Sequence, residues 1–172
     1  WWRFDDRNSS GGVVDLAGLY NGTLNGDALI NSTGYWGNAS HFSGLGYINF
    51  GPNITLPNGT ASVWVNFNAL GTEGYIMSKV ISGDGAGEWR LYKNASNSIV
   101  FLIEELGAGQ GQVVSNNPIQ ANTWYHIVVV WNTTMEMYIN GTKQTSTATV
   151  NAGMDITNMT LNIGNNNALS NG

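Results

Sequence analysis

Asparagine supplies most of the reactive chemistry in this 172-residue chain. Asn-x-Ser/Thr triplets begin at Asn8, Asn21, Asn31, Asn38, Asn53, Asn58, Asn94, Asn132, Asn140 and Asn158, ten in all, none with Pro in the middle. Each offers a side-chain amide that can be linked to an N-glycan where the backbone is exposed. The chain has 24 Asn, with Ser plus Thr near 15%. Chance alone would therefore give about four such triplets. An Asn/Thr-rich chain makes some by composition, but the excess points to N-glycosylation on an extracellular face.

A second kind of chemistry is sugar recognition, which needs exposed aromatic rings beside amides or carboxylates. Tyr35 and Trp36 sit in loop-like sequence between Asn31 and Asn38 and are the ligand-binding candidates. Glycans attached beside them would obstruct such a site. A third kind is cation binding. "SGDGAGEWR" (82–90) places Asp84 and Glu88 in a Gly-rich loop, where they and nearby carbonyls can form part of a Ca2+ site. A solvated hairpin loop explains the same residues. Asp15 reads as an Asx cap on the loop that follows it.

Catalysis finds little support. Glu104 and Glu105 are neighbours in strand-like sequence, as are Asp5 and Asp6. Adjacent strand residues point to opposite faces, so neither pair can flank one glycosidic bond. His41 and His126 lack a Ser or Asp partner at a telling spacing.

The elements that must position these groups are strands. Val, Ile, Thr, Tyr, Phe and Trp come in short runs cut by Gly and Asn. Strands are expected at 1–5, 47–50, 61–67, 75–80, 89–93, 98–104, 124–131, 135–139, 142–147 and 159–163, with 6–40 rich in loops. In 61–67, Ala61, Val63, Val65 and Phe67 share one face, and Ser62, Trp64 and Asn66 the other. In 124–131 both faces are largely apolar, which predicts a central, well-covered strand. Trp64, Trp89, Trp124 and Trp131 are accordingly expected in the core. Asn140-Gly141 predicts a type I′ hairpin turn. These elements make an antiparallel two-sheet sandwich, read as one domain over 1–172.

Composition narrows the partners. Charged residues are only 10% and the net charge is -5, which argues against nucleic acid. No apolar run approaches the ~20 residues that span a bilayer. The absence of Cys leaves the redox compartment open. The chain begins at Trp1, as a mature or excerpted polypeptide does.

"WRFDD" (2–6), "VVDLAGLYNGTL" (13–24), "ASVWVNF" (61–67), "NTWYHIVVVWN" (122–132), "MYINGTKQ" (137–144) and "LNIGNNN" (161–167) occur in order. Together they resemble the laminin-G-like, concanavalin A-like family. The resemblance implies a jelly roll of two curved antiparallel sheets and, because the family usually has His in the strand that holds His126, a packed, hydrogen-bonded imidazole there. In "HFSGLGYINF" (41–50), Ser43 and Gly46 stand where the family can have acids for calcium. The family's closing strand has no counterpart before Gly172, so the resemblance implies that the polypeptide continues or that a neighbouring subunit supplies it. The sequence reading that follows is a non-catalytic, N-glycosylated, extracellular or cell-surface module. Its leading role is structural or adhesive, through self-association or neighbouring domains. The alternative is a carbohydrate-binding, lectin-like module of a larger secreted protein.

Overall fold

The computed structural model describes residues 1–54, 57–80, 88–105, 109–150 and 159–164. All regular structure in these residues is β. In chain order the strands are β1 (Trp2–Arg7), β2 (Val13–Asp15), β3 (Thr23–Asn25), β4 (Leu29–Thr33), β5 (Asn38–His41), β6 (Tyr47–Asn49), β7 (Gly59–Asn66) and β8 (Gly74–Val80). There follow β9 (Trp89–Lys93), β10 (Ile99–Glu105), β11 (Gly109–Val114), β12 (Trp124–Trp131), β13 (Thr134–Ile139), β14 (Thr142–Lys143), β15 (Ala148–Thr149) and β16 (Thr160–Gly164).

Two sheets dominate. One has seven strands in the order β11-β10-β9-β8-β16-β6-β3; the other runs β14-β13-β12-β7, with β15 also on β13. β1 pairs with β2, and β4 with β5, as separate two-stranded ribbons. Every pairing is antiparallel. The two large sheets share one hydrophobic core. Trp131 of β12 lies 5.6 Å from Trp89 of β9 and 5.5 Å from Phe101 of β10, ring centre to ring centre. Ile127, Val129, Met135 and Met137 reach the same core from the smaller sheet, fully buried. The sandwich expected from sequence is thus the observed architecture.

Local differences have physical reasons. The stretch 6–40 holds four strands of three to five residues, too short for a period-2 pattern to stand out. β11 was not expected because "GQGQVV" carries Gly and Gln where β formers normally sit. The return after Asn140-Gly141 pairs only through Thr142–Lys143. The turn itself is as expected: Asn140 has φ 49° and Gly141 φ 79°, both left-handed, as type I′ requires.

One expectation needs correction. β12 is central in its sheet, flanked by β7 and β13, but only one of its faces is covered. Ile127, Val129 and Trp131 are buried, whereas Trp124, His126, Val128 and Val130 are half-exposed. Trp89 and Trp131 are core residues at 1% exposure; Trp64 and Trp124 are not. The alternation had placed Trp64 opposite the core face of β7, and among the described residues neither large sheet lies over that side. No helix among the described residues is long and apolar enough to cross a membrane.

Candidate functional site

The uncovered face of the smaller sheet gathers most of its aromatic residues. β7 and β12 pair with Trp64 opposite His126 and Asn66 opposite Trp124. Side chains alternate along a strand, so Trp64, Trp124 and His126 all project outward. Trp64 stacks on the His126 ring at 5.0 Å and 19°. The His126 Nε2 lies 2.8 Å from the Ser62 hydroxyl, so the imidazole is hydrogen-bonded as expected, yet it belongs to an open surface.

A hairpin brings the remaining rings. β4 and β5 are joined by Gly34-Tyr35-Trp36-Gly37, closed by a Gly34 N–H to Gly37 carbonyl bond of 2.8 Å. Tyr35 lies flat on Trp64, at 3.7 Å and 10°. Trp36 meets Trp64 edge-on at 5.5 Å, and Trp124 stands 6.5 Å from Tyr35. Asp5 of β1 holds the tip in place: its Oδ1 accepts the Asn38 N–H at 2.7 Å. Gly37 has φ 64°, and a Cβ there would lie 2.4 Å from the same oxygen. Only glycine allows this approach.

Asn140 completes the site. Its N–H donates to the His126 carbonyl at 2.8 Å, and its Oδ1 accepts the His126 N–H at 2.9 Å. Tyr35, Trp64, Trp124, His126 and Asn140 line an open depression of about 380 Å3. Trp36, 74% exposed, stands beside it. Tyr35 and Trp36, the two residues singled out from sequence, therefore lie in the cluster. Trp64, Trp124 and His126 were missed as site residues, and Asn140 was read as a glycosylation site and not as part of a ligand site. The signal was present in the outward parity of Trp64 and the apolar outer face of β12, but it was read as burial.

The other expected positions fall elsewhere. Asn21, Asn38, Asn53, Asn58, Asn132 and Asn140 are exposed, while Asn8 and Asn94 are half-buried. Several use Oδ1 to brace turns: Asn8 accepts from Gly12 at 2.8 Å, Asn94 from Ser98 at 2.9 Å and Asn132 from Thr134 at 3.1 Å. Asn158 and the Asn31 side chain lie outside the described residues. Glu88 is buried and ion-paired with Arg90, whose guanidinium already matches the charge that a cation would need. Asp84 lies outside the described residues. Among those described, no group of three His, Cys, Asp or Glu gathers to hold a metal. Asp15 caps its loop as expected, accepting N–H bonds from Ala17 at 3.1 Å and Tyr20 at 3.1 Å.

Sequence comparison places this fold in a family. The Laminin_G_3 pattern, described as the concanavalin A-like lectin/glucanases superfamily, matches residues 42–172. The chain belongs to this superfamily. No curated protein matches it in sequence. Among solved structures, this superfamily domain resembles domain 4 of AbnA, an extracellular arabinanase of Geobacillus stearothermophilus solved with arabinotriose. That match has TM-score 0.69 and 18% identity, over 88% of this chain and 77% of that one. It also resembles the receptor-binding domain of botulinum neurotoxin mosaic serotype C/D (TM-score 0.68, 19% identity, 91% of this chain and 41% of that one). A third is the CBM40 of the Ruminococcus gnavus IT-sialidase, bound to α2,3-sialyllactose (TM-score 0.53, 12% identity, 62% of each chain). The superfamily domain thus spans less than two thirds of the latter two chains. At these identities the likeness establishes the fold.

Proposed function

We propose that this domain is a non-catalytic, carbohydrate-binding, lectin-like module of an extracellular protein. The aromatic face around Trp64 is its sugar-binding surface. The observation that carries this reading is the cluster itself: Tyr35, Trp36, Trp64 and Trp124, beside Asn140, on a face that among the described residues neither large sheet covers. Large aromatic side chains left half-exposed in one patch mark an interaction surface. Rings stack on the C–H faces of a sugar, and an amide or imidazole fixes its hydroxyls. The sugar complexes of the arabinanase and sialidase domains lend support by likeness of fold.

The exposed sequon asparagines away from the aromatic face, Asn21, Asn53, Asn58 and Asn132, are consistent with N-glycans, which would supply the solubility that a chain with 10% charged residues otherwise lacks; the proposal requires Asn140, which lines the depression, to be unglycosylated. A structural, self-associating module is the second reading. It draws on the edge of β7, which ends its sheet among the described residues and can accept a further strand. Binding of the purified protein to an oligosaccharide panel, with sedimentation velocity alongside, separates the two. Sugar binding by a monomer is expected; polymers with no sugar binding would reverse the order. Intact mass before and after glycan removal tests the sequons, and an unshifted mass in protein from a glycosylating host would discard them.

A further inference from the structure

We propose that the aromatic face takes neutral sugars and excludes acidic ones, and that the Glu136–Lys143 pair enforces the exclusion. The inference rests on the carbohydrate-binding reading and names its ligand class. A sialic acid or uronic acid carries a carboxylate, and a protein site recognises it with a free Arg or Lys. The chain has six such residues, and each has an acceptor within the protein. Arg3 meets Asp5 at 3.4 Å, Arg7 donates to the Ile30 carbonyl, and Lys79 donates to the Ile54 carbonyl at 2.5 Å. Arg90 pairs with Glu88 and lies 4.0 Å from Glu104. Lys93 donates to the Thr72 carbonyl, and Lys143 meets Glu136 at 2.6 Å.

Lys143 is a cation on the outward side of the smaller sheet. β12 and β13 set Val128 opposite Tyr138 and Val130 opposite Glu136, and β13 and β14 set Tyr138 opposite Lys143. Met135 and Met137 point into the core, so Glu136 and Tyr138 share the outward side with His126, Tyr138 about 7 Å and Glu136 about 13 Å further along the sheet. Glu136 accepts from both the Lys143 ammonium and the Tyr138 hydroxyl, at 2.6 and 2.8 Å. These bonds hold its carboxyl below the ordinary range, so Glu136 keeps its charge and keeps Lys143 occupied. The depression itself is lined by uncharged aromatic rings, an imidazole and an amide. A net charge of -5 adds repulsion at longer range, screened by salt over about 8 Å.

The test uses matched pairs that differ only in charge. Immobilised neutral oligosaccharides (lactose, cellotetraose, arabinotriose) are presented with 3′-sialyllactose and tetragalacturonate, each as free acid and as methyl ester. The full chain should bind neutral members or esters at least about tenfold better than the free acids, in 0.15 M salt at pH 7.5. Glu136→Gln, which removes the carboxylate charge held against Lys143, should narrow that ratio while the fold, read by thermal melting, is retained. A free acid bound as well as its ester would overturn the inference and leave the carbohydrate reading standing. An unchanged ratio in Glu136→Gln would overturn the part given to the Glu136–Lys143 pair. No binding to any member would overturn the carbohydrate reading, and the inference with it.

Discussion

Trp131 and Trp64 occupy neighbouring strands of one sheet and have opposite fates. Trp131 is 1% exposed and packs against Trp89 and Phe101 of the facing sheet. Trp64 is on the other side of the sheet, half-exposed, and meets rings of its own sheet and of one hairpin. Both follow from strand parity, since side chains alternate in direction. What differs is whether a second layer lies above the face. The inner face is thus a core, and the outer face of the same strands is an available surface.

Stability and binding should separate along this line. Trp131→Ala leaves a void between the sheets and is expected to cost about 3–5 kcal/mol. That is a large part of a domain's total of roughly 5–15 kcal/mol, and urea unfolding would read it. Trp64→Ala should cost roughly 1–2 kcal/mol, because it loses ring contacts worth about 0.5–1.5 kcal/mol each and leaves no enclosed cavity. Equal losses for the two variants would erase the distinction.

Asp5→Ala sharpens the comparison from the hairpin side. It removes the acceptor for the Asn38 N–H, worth about 1–2 kcal/mol of local order. Faster hydrogen exchange at Asn38 is expected, together with sugar binding weakened about three- to tenfold and little change in melting temperature. Asp5→Asn, which keeps an acceptor oxygen, should restore part of the binding. Unchanged exchange at Asn38 would show that the tip is held by its rings alone.

The sandwich was legible because its inner face is written in alternation: Ala61, Val63 and Val65 in β7, and Ile127, Val129 and Trp131 in β12. The I′ turn was legible because Asn-Gly is among the few pairs that accept two left-handed residues. The aromatic site was only half legible. Tyr35 and Trp36 stood out in loop-like sequence between Asn31 and Asn38. Trp64 and Trp124 did not, because an apolar outer face reads the same whether a layer covers it or not. β4 and β5 were hidden by their shortness, and with them the hairpin that sets Tyr35 on Trp64. That contact joins residues 29 apart, and no local pattern records it.

The central claim is that the face around Trp64 binds sugar. Its most direct test is titration of an oligosaccharide found to bind on the panel, followed by tryptophan fluorescence and calorimetry, in wild type and Trp64→Ala. The account predicts saturable binding with a fluorescence change in wild type, and at least about tenfold weaker binding in a Trp64→Ala protein that still melts cooperatively. Undiminished binding in folded Trp64→Ala would contradict it.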